Sequence, residues 1–139
     1  MKNPKANALR WLRQAEHDLQ VAAKLLQGGD YSDAAFHSEQ SAQKALKSVL
    51  ISQGSRYVTI HSVGELAKQA AALEAAFLPL VDQAKRLDRH YIASRYPDAL
   101  PEPAIPAESY VLSEAEDALR IARTIFDKCK SLVSPSSDP

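Results

Sequence analysis

Apolar positions along this chain recur at alternating steps of three and four, the spacing that stacks side chains along one face of a helix. The first such stripe is Ala8, Leu12, Ala15, Leu19, Ala22 and Leu26. It predicts a helix over about residues 4–27, with Arg10, Arg13, Glu16, Asp18, Gln20 and Lys24 on the other side. Trp11 flanks the stripe, where part of its ring can pack while its N–H stays near solvent. Gly28 and Gly29 stop this helix, because glycine takes a left-handed cap without a Cβ penalty. A second helix is expected over about residues 30–53, with Asp30 as N-cap acceptor and Gly54 closing it. So short a connection makes the first two helices an antiparallel pair.

The second helix has two faces. Ala35, Ser38, Ala42, Ala45, Leu46 and Val49 gather on one side, and their small size lets neighbouring helices come close. Asp33, His37, Gln40, Lys44 and Lys47 line the other, which reads as an outer row of hydrogen-bonding and basic groups. Residues 55–61 are irregular, with Tyr57, Val58, Thr59 and Ile60 forming a β-prone patch too short for a sheet. Ser62 followed by Glu65 has the capping-box spacing and predicts a short third helix to about residue 73. Gly64 weakens its first turn by roughly 1 kcal/mol relative to alanine.

A fourth helix is expected from about residue 74 or 77 to 93, with Pro79 near its start and Leu80, Ala84, Leu87 and Tyr91 inward. Pro97, Pro101, Pro103 and Pro106 then exclude a regular helix, and Tyr96, Leu100 and Ile105 mark this stretch as an ordered surface loop. A fifth helix over about residues 108–131 points Val111, Ala115, Ala118, Ala122, Ile125 and Cys129 inward, with Leu112, Leu119 and Phe126 widening the stripe. The tail SPSSDP, within residues 132–139, reads as disordered. The pattern is that of an all-α, up-and-down antiparallel helical bundle, four long helices plus one short one. It forms a single domain over residues 1–139 with an ordered core of about 4–131.

Composition narrows the function classes. The 139 residues are 45% hydrophobic and 24% charged, as in an ordinary globular domain. Lys plus Arg and Asp plus Glu are both 17, which argues against a generally basic nucleic-acid binder while allowing a local basic patch. The lone cysteine, Cys129, excludes an internal disulfide and fits a small core residue in a reducing compartment. No apolar run approaches the ~20 residues of a membrane span, and the first residues lack the apolar core of a secretory signal. A cytoplasmic location is expected. His17, His37, His61 and His90 include no pair at helical metal-ligand spacing, so no metal and no cofactor is expected.

Three polar groupings remain as candidates, each with an ordinary structural reading beside the functional one. His37, Gln40, Lys44 and Lys47 form the outer row of the second helix, which a merely solvated face would also explain. Arg86, Arg89 and His90 share one turn of the fourth helix, where Asp82 offers Arg86 simple surface pairing. Arg95 and Tyr96 precede the rigid Pro97 and Asp98, a grip in which guanidinium takes phosphate and ring takes a base. The structural alternative tucks Tyr96 over the bundle end and sets Arg95 on helix carbonyls.

Several stretches, weak singly, resemble in order and spacing the HEPN domain. They are Trp11 to Leu19, Gly29 to Phe36, Glu39 to Lys47, His61-Ser62-Val63 and Arg95-Tyr96-Pro97-Asp98, within a match over residues 8–130. The resemblance implies a helical bundle that forms a homodimer and is linked to nucleotides or RNA. Many such proteins are encoded beside a minimal nucleotidyltransferase and act as its partner. Some relatives are ribonuclease toxins, with an Arg and a His separated by four to six residues on a late helix. This chain departs from that pattern: three residues separate Arg86 from His90, and Arg56 and His61, correctly spaced, lie in a loop.

The leading expectation is therefore a non-catalytic binding module for nucleotide or a nucleotidyltransferase partner, with Gln40, Lys44, Lys47, His61, Arg95 and Tyr96 contributing. A ribonuclease toxin using Arg86 or Arg89 with His90 is the enzymatic alternative. There His90 would be general acid or base and the arginine would stabilise the phosphorane charge. A purely structural interaction module is the third.

Overall fold

The computed structural model of this chain describes residues 3–55 and 58–134. The expectations for the tail beyond residue 134, for Tyr57 and for the Arg56–His61 spacing lie outside the described residues. Helix α1 spans Pro4–Gln27, α2 Tyr31–Ser52, α3 Val63–Leu73, α4 Val81–Asp88, α5 His90–Ala93, α6 Pro106–Ser109 and α7 Leu112–Val133. Helix α2 is central: it runs along α1 and α7, and α3, α5 and α6 also touch it. Leu46, Leu66, Phe77, Leu87, Ile121 and Ile125 are fully buried between these helices. Serines let α1 and α2 approach closely, and Ser41 Oγ donates across the seam to the Ala15 carbonyl at 2.8 Å.

The glycine stop after α1 is a Schellman cap. Gly29 has φ +82°, the Gly29 N–H donates to the Leu26 carbonyl at 3.2 Å, and the Asp30 N–H donates to that of Leu25 at 2.9 Å. Asp30 does sit at the N-cap of α2, but its carboxylate accepts no N–H there. With φ −89° and ψ 72° its backbone is outside the extended region from which a capping side chain reaches back. Ser62 caps α3 as expected, accepting from the Glu65 N–H at 3.1 Å. The larger contribution comes from Asp88 of α4, which accepts from the Val63 N–H at 2.6 Å, the Gly64 N–H at 3.2 Å and Ser62 Oγ at 2.8 Å.

Two helices differ from expectation. The fourth is subdivided: a 3-10 segment over Ala75–Leu80 absorbs Pro79, and α4 and α5 meet at Arg89. Arg89 has φ −62° and ψ −21°, a tightened turn within the right-handed region, so the path bends without reversing. The fifth long helix begins at Leu112, after α6 and the extended Tyr110 and Val111. Val111 is therefore a cap residue and leaves the inward stripe, 53% exposed.

The larger correction concerns the polar row of α2. Lys47 is only 5% exposed, and Gln40 and Lys44 are half-buried. Because neighbours surround α2, the side read as solvent-facing is mostly covered.

Candidate functional site

The polar residues of α2 lead from the core to one end of the bundle. Glu39 is completely buried. Its Oε1 accepts from Gln40 Nε2 at 2.8 Å, and its Oε2 accepts from Gln43 Nε2 at 3.0 Å. Burial pushes the Glu39 pKa up to about 7 despite these two hydrogen bonds; Asp88 adds to the rise and Arg95 opposes it. On its other side Gln43 Oε1 lies 3.2 Å from His61 Nδ1. The exposed His61 ring stacks on Tyr91 of α5, centroids 6.1 Å apart and planes within 9°.

Arg95, just past α5, completes this corner. Its guanidinium carbon lies 4.3 Å from the Phe36 ring centroid, 5.1 Å from Tyr91 and 4.9 Å from Tyr96. Nε donates to the Tyr91 carbonyl at 3.2 Å, which fixes the plane of the fork. Arg95 is exposed and forms no ion pair among the described residues, and the Tyr96 side chain is half exposed. Arg95 thus rests on a helix carbonyl, as the structural alternative expects, and its guanidinium also lies over three aromatic rings. Three aromatic faces hold one planar cation whose terminal nitrogens meet no carboxylate among the described residues.

Gln40, His61, Arg95 and Tyr96 therefore converge, linked through Glu39, Gln43, Phe36 and Tyr91. Lys44 and Lys47 belong to the α1–α2 seam. Lys44 Nζ is 2.6 Å from Asp18 Oδ2, and Lys47 Nζ stands 5.7 Å from the Trp11 ring centroid. Burial lowers the Lys47 pKa; Glu39 opposes that and Lys44 reinforces it. Lys44 also lines an open groove of about 1030 Å³ with Arg10, Trp11, Arg13 and His17.

The Arg86, Arg89 and His90 grouping does not converge on an open site. Arg86 pairs with Asp117 of α7, which also accepts from Arg120 Nη2 at 2.6 Å. Although burial raises the Asp117 pKa, the bonds and charges of Arg120 and Arg86 hold its carboxyl below the usual range. His90 is 2% exposed and its Nδ1 lies 2.7 Å from Tyr110 Oη. Burial, reinforced by Arg89, pushes His90 down to about 4, while burial pushes Tyr110 up to about 12. Arg89 is exposed and forms no ion pair among the described residues.

Sequence reasoning missed Glu39, Gln43, Phe36 and Tyr91 as parts of this corner. Tyr91 falls in the core stripe, and an acid on a helix is ordinarily solvated. The available signal was the Glu39, Gln43, Lys47 row at steps of four in a helix otherwise rich in Ala and Ser. Among the described residues no cluster of three or more His, Cys, Asp or Glu could hold a metal, and no helix is long and apolar enough to cross a membrane. Cys129 is buried, which raises its thiol pKa and leaves it inert.

Comparison with known proteins gives a consistent result. The HEPN domain family model matches residues 8–132. The curated "Putative toxin MJ1304" of Methanocaldococcus jannaschii is 31% identical over 130 residues, 88% of this chain and 86% of that protein. The crystal structure of TT1696 from Thermus thermophilus superposes with a TM-score of 0.83 at 37% identity, covering 89% of this chain and 96% of that one. ST0689, described as an archaeal HEPN homologue, gives 0.75 at 34% identity over 96% of this chain and all 100% of its own.

Proposed function

This chain belongs to the HEPN domain family, and on that footing we propose that it is a binding module for a nucleotide or an RNA phosphate, acting as a homodimer beside a nucleotidyltransferase partner. The observation that carries this reading is Arg95: an exposed guanidinium held over Phe36, Tyr91 and Tyr96 without a carboxylate partner among the described residues. Aromatic faces orient a planar cation but do not neutralise it, so the fork is left for an anion. Tyr96 alongside offers a face on which a base can stack. Calorimetric titration of the protein, alone and with its adjacent-gene nucleotidyltransferase, with ATP, GTP and short RNA tests the reading. Binding should be lost in Arg95→Ala and weakened about tenfold or more in Tyr96→Ala. An absence of heat with every ligand, in both preparations, refutes it.

The toxin name of the Methanocaldococcus relative supports a second reading, a ribonuclease toxin with Arg86 or Arg89 and His90 as the acting groups. Induced expression of the wild type and His90→Ala decides it. Growth arrest with RNA cleavage by the wild type alone supports the reading; harmless expression of both ends it.

A further inference from the structure

The hydrogen bonds behind His61 form a one-way chain. Glu39 is an ionised carboxylate when deprotonated and can then only accept, so both amides that meet it must present their NH₂ groups. Gln43 is 5% exposed and holds its Nε2 on Glu39, which turns its Oε1 the other way, onto His61 Nδ1. A carbonyl oxygen has no proton to give, and therefore Nδ1 must carry one. A neutral imidazole has a single N–H, and Nε2 is left with its lone pair. That nitrogen has no partner among the described residues, and its ring is exposed and stacked on Tyr91, which also carries Arg95.

From this we infer that Glu39 and Gln43 are positioning residues that lock His61 in its Nδ1–H tautomer, making Nε2 a specificity-determining hydrogen-bond acceptor for the ligand held at Arg95. The inference rests on the binding reading above and names what that site selects. The ligand must present a donor, a ribose hydroxyl or an exocyclic base amine, beside its phosphate. An acceptor facing Nε2 would be repelled lone pair to lone pair, and a ligand lacking the donor would leave Nε2 unpaired. The charged groups that bear on Glu39 are Lys47 on its own helix, Asp88 on α4 and Arg95 after α5, with His61 reached through Gln43. At pH 8.5, above the Glu39 value of about 7, the carboxylate is ionised and the chain has its stated polarity.

Two measurements on the full chain at pH 8.5 test this. Long-range ¹H–¹⁵N correlation spectra of the His61 ring should show Nδ1 protonated and Nε2 bare, against the Nε2–H form that free histidine favours. Glu39→Gln, whose amide can give as well as accept, and Gln43→Met, which removes the acceptor, should each move the ring toward Nε2–H. Calorimetry should then show ATP bound about tenfold more tightly than whichever analogue lacks the donor. Deoxy-ATP reports the hydroxyl and inosine triphosphate reports the amine. Both variants should lose that preference while still binding pyrophosphate, Glu39→Gln somewhat more tightly because a negative charge near Arg95 is gone. An Nε2–H ring in the wild type overturns the inference even if ATP binds. ATP binding without discrimination against either analogue overturns the selectivity. A locked Nδ1–H ring with no heat from ATP, GTP or short RNA, with or without the nucleotidyltransferase, refutes instead the binding reading on which the selectivity depends.

Discussion

Glu39 and His90 pull the pH dependence of stability in opposite directions, and removing either should expose the other. Glu39 titrates at 4.5 when unperturbed and about 7 in the fold, chiefly because burial disfavours its charge. Between those values the folded protein holds a proton that the unfolded chain has released. Stability therefore falls as pH rises through the window. His90, at 6.5 unperturbed and about 4 in the fold, behaves inversely. The unfolded chain takes up a proton that the buried ring refuses, and stability rises with pH from about 4 to 6.5. Each displacement is about 2.5 pH units, worth about 3 kcal/mol at about 1.4 kcal/mol per unit. In the wild type the two slopes overlap and largely cancel. Glu39→Gln keeps the shape and removes the charge. Its advantage over wild type should grow from near zero at pH 4.5 to about 3 kcal/mol at pH 8, less whatever the altered hydrogen bonds to Gln40 and Gln43 cost. For a chain of this size that raises the thermal midpoint at pH 8 by about 10 °C. Urea unfolding followed by far-UV circular dichroism at pH 4.5, 5.5, 6.5 and 8 measures it. His90→Gln supplies the converse, a stability that declines steadily from pH 4.5 to 7. A Glu39→Gln protein less stable than wild type at pH 8, or a difference constant across pH, would refute the reasoning.

Two predictions concern the junction of α3 with α4. Helix propensity alone says Gly64→Ala should stabilise by about 1 kcal/mol. A Cβ there would meet Lys85 Cγ at 2.7 Å, Asp88 Oδ2 at 3.1 Å and Lys85 Cα at 3.2 Å, so the helices would have to separate. We expect a net loss of about 1–3 kcal/mol in urea unfolding, and a gain would show that the contact relaxes freely. Asp88→Ala leaves the Val63 and Gly64 N–H groups without their acceptor. It should cost about 2 kcal/mol and speed amide exchange selectively in the first turn of α3; unchanged exchange there would contradict the capping role.

The helices were legible because packing imposes its period on the sequence. The stripe from Ala8 to Leu26, the paired glycines and the Ser62 cap each carry their own physical signature. What failed was the inference from a polar row to a wet face. Lys47 and Gln43 are buried because α2 has neighbours on nearly every side, and a helical wheel registers only the period of a pattern, never the number of partners. Glu39 was invisible for a related reason, since its neutralising surroundings come from distant segments and two amides of its own helix. The corner itself was half legible. Arg95 and Tyr96 announce themselves beside Pro97, and His61 in its loop, but that Phe36 and Tyr91 share the guanidinium depends on how α2 and α5 pack.

A buried carboxylate at the centre of a bundle is a cost that an apolar residue of similar size would not incur. Within α2, both oxygens of Glu39 are bonded, Gln43 is bonded at both ends, and Lys47 faces an indole and the Glu39 charge, whereas His37 Nδ1 is buried without a hydrogen-bond partner among the described residues. Glu39, Gln43 and Lys47 stand at successive steps of four, forming a polar seam from the Trp11 face to the Arg95 corner. Because the seam is largely excluded from water, a change of charge at Glu39 is weakly screened and felt at both ends. An anion on Arg95 would withdraw the cation that favours Glu39 ionisation, raise its pKa further and so couple ligand binding to proton uptake inside the bundle. Buffers of different ionisation enthalpy would reveal that uptake in the calorimetric titration. A binding heat independent of buffer would place Glu39 outside the energetics of the site.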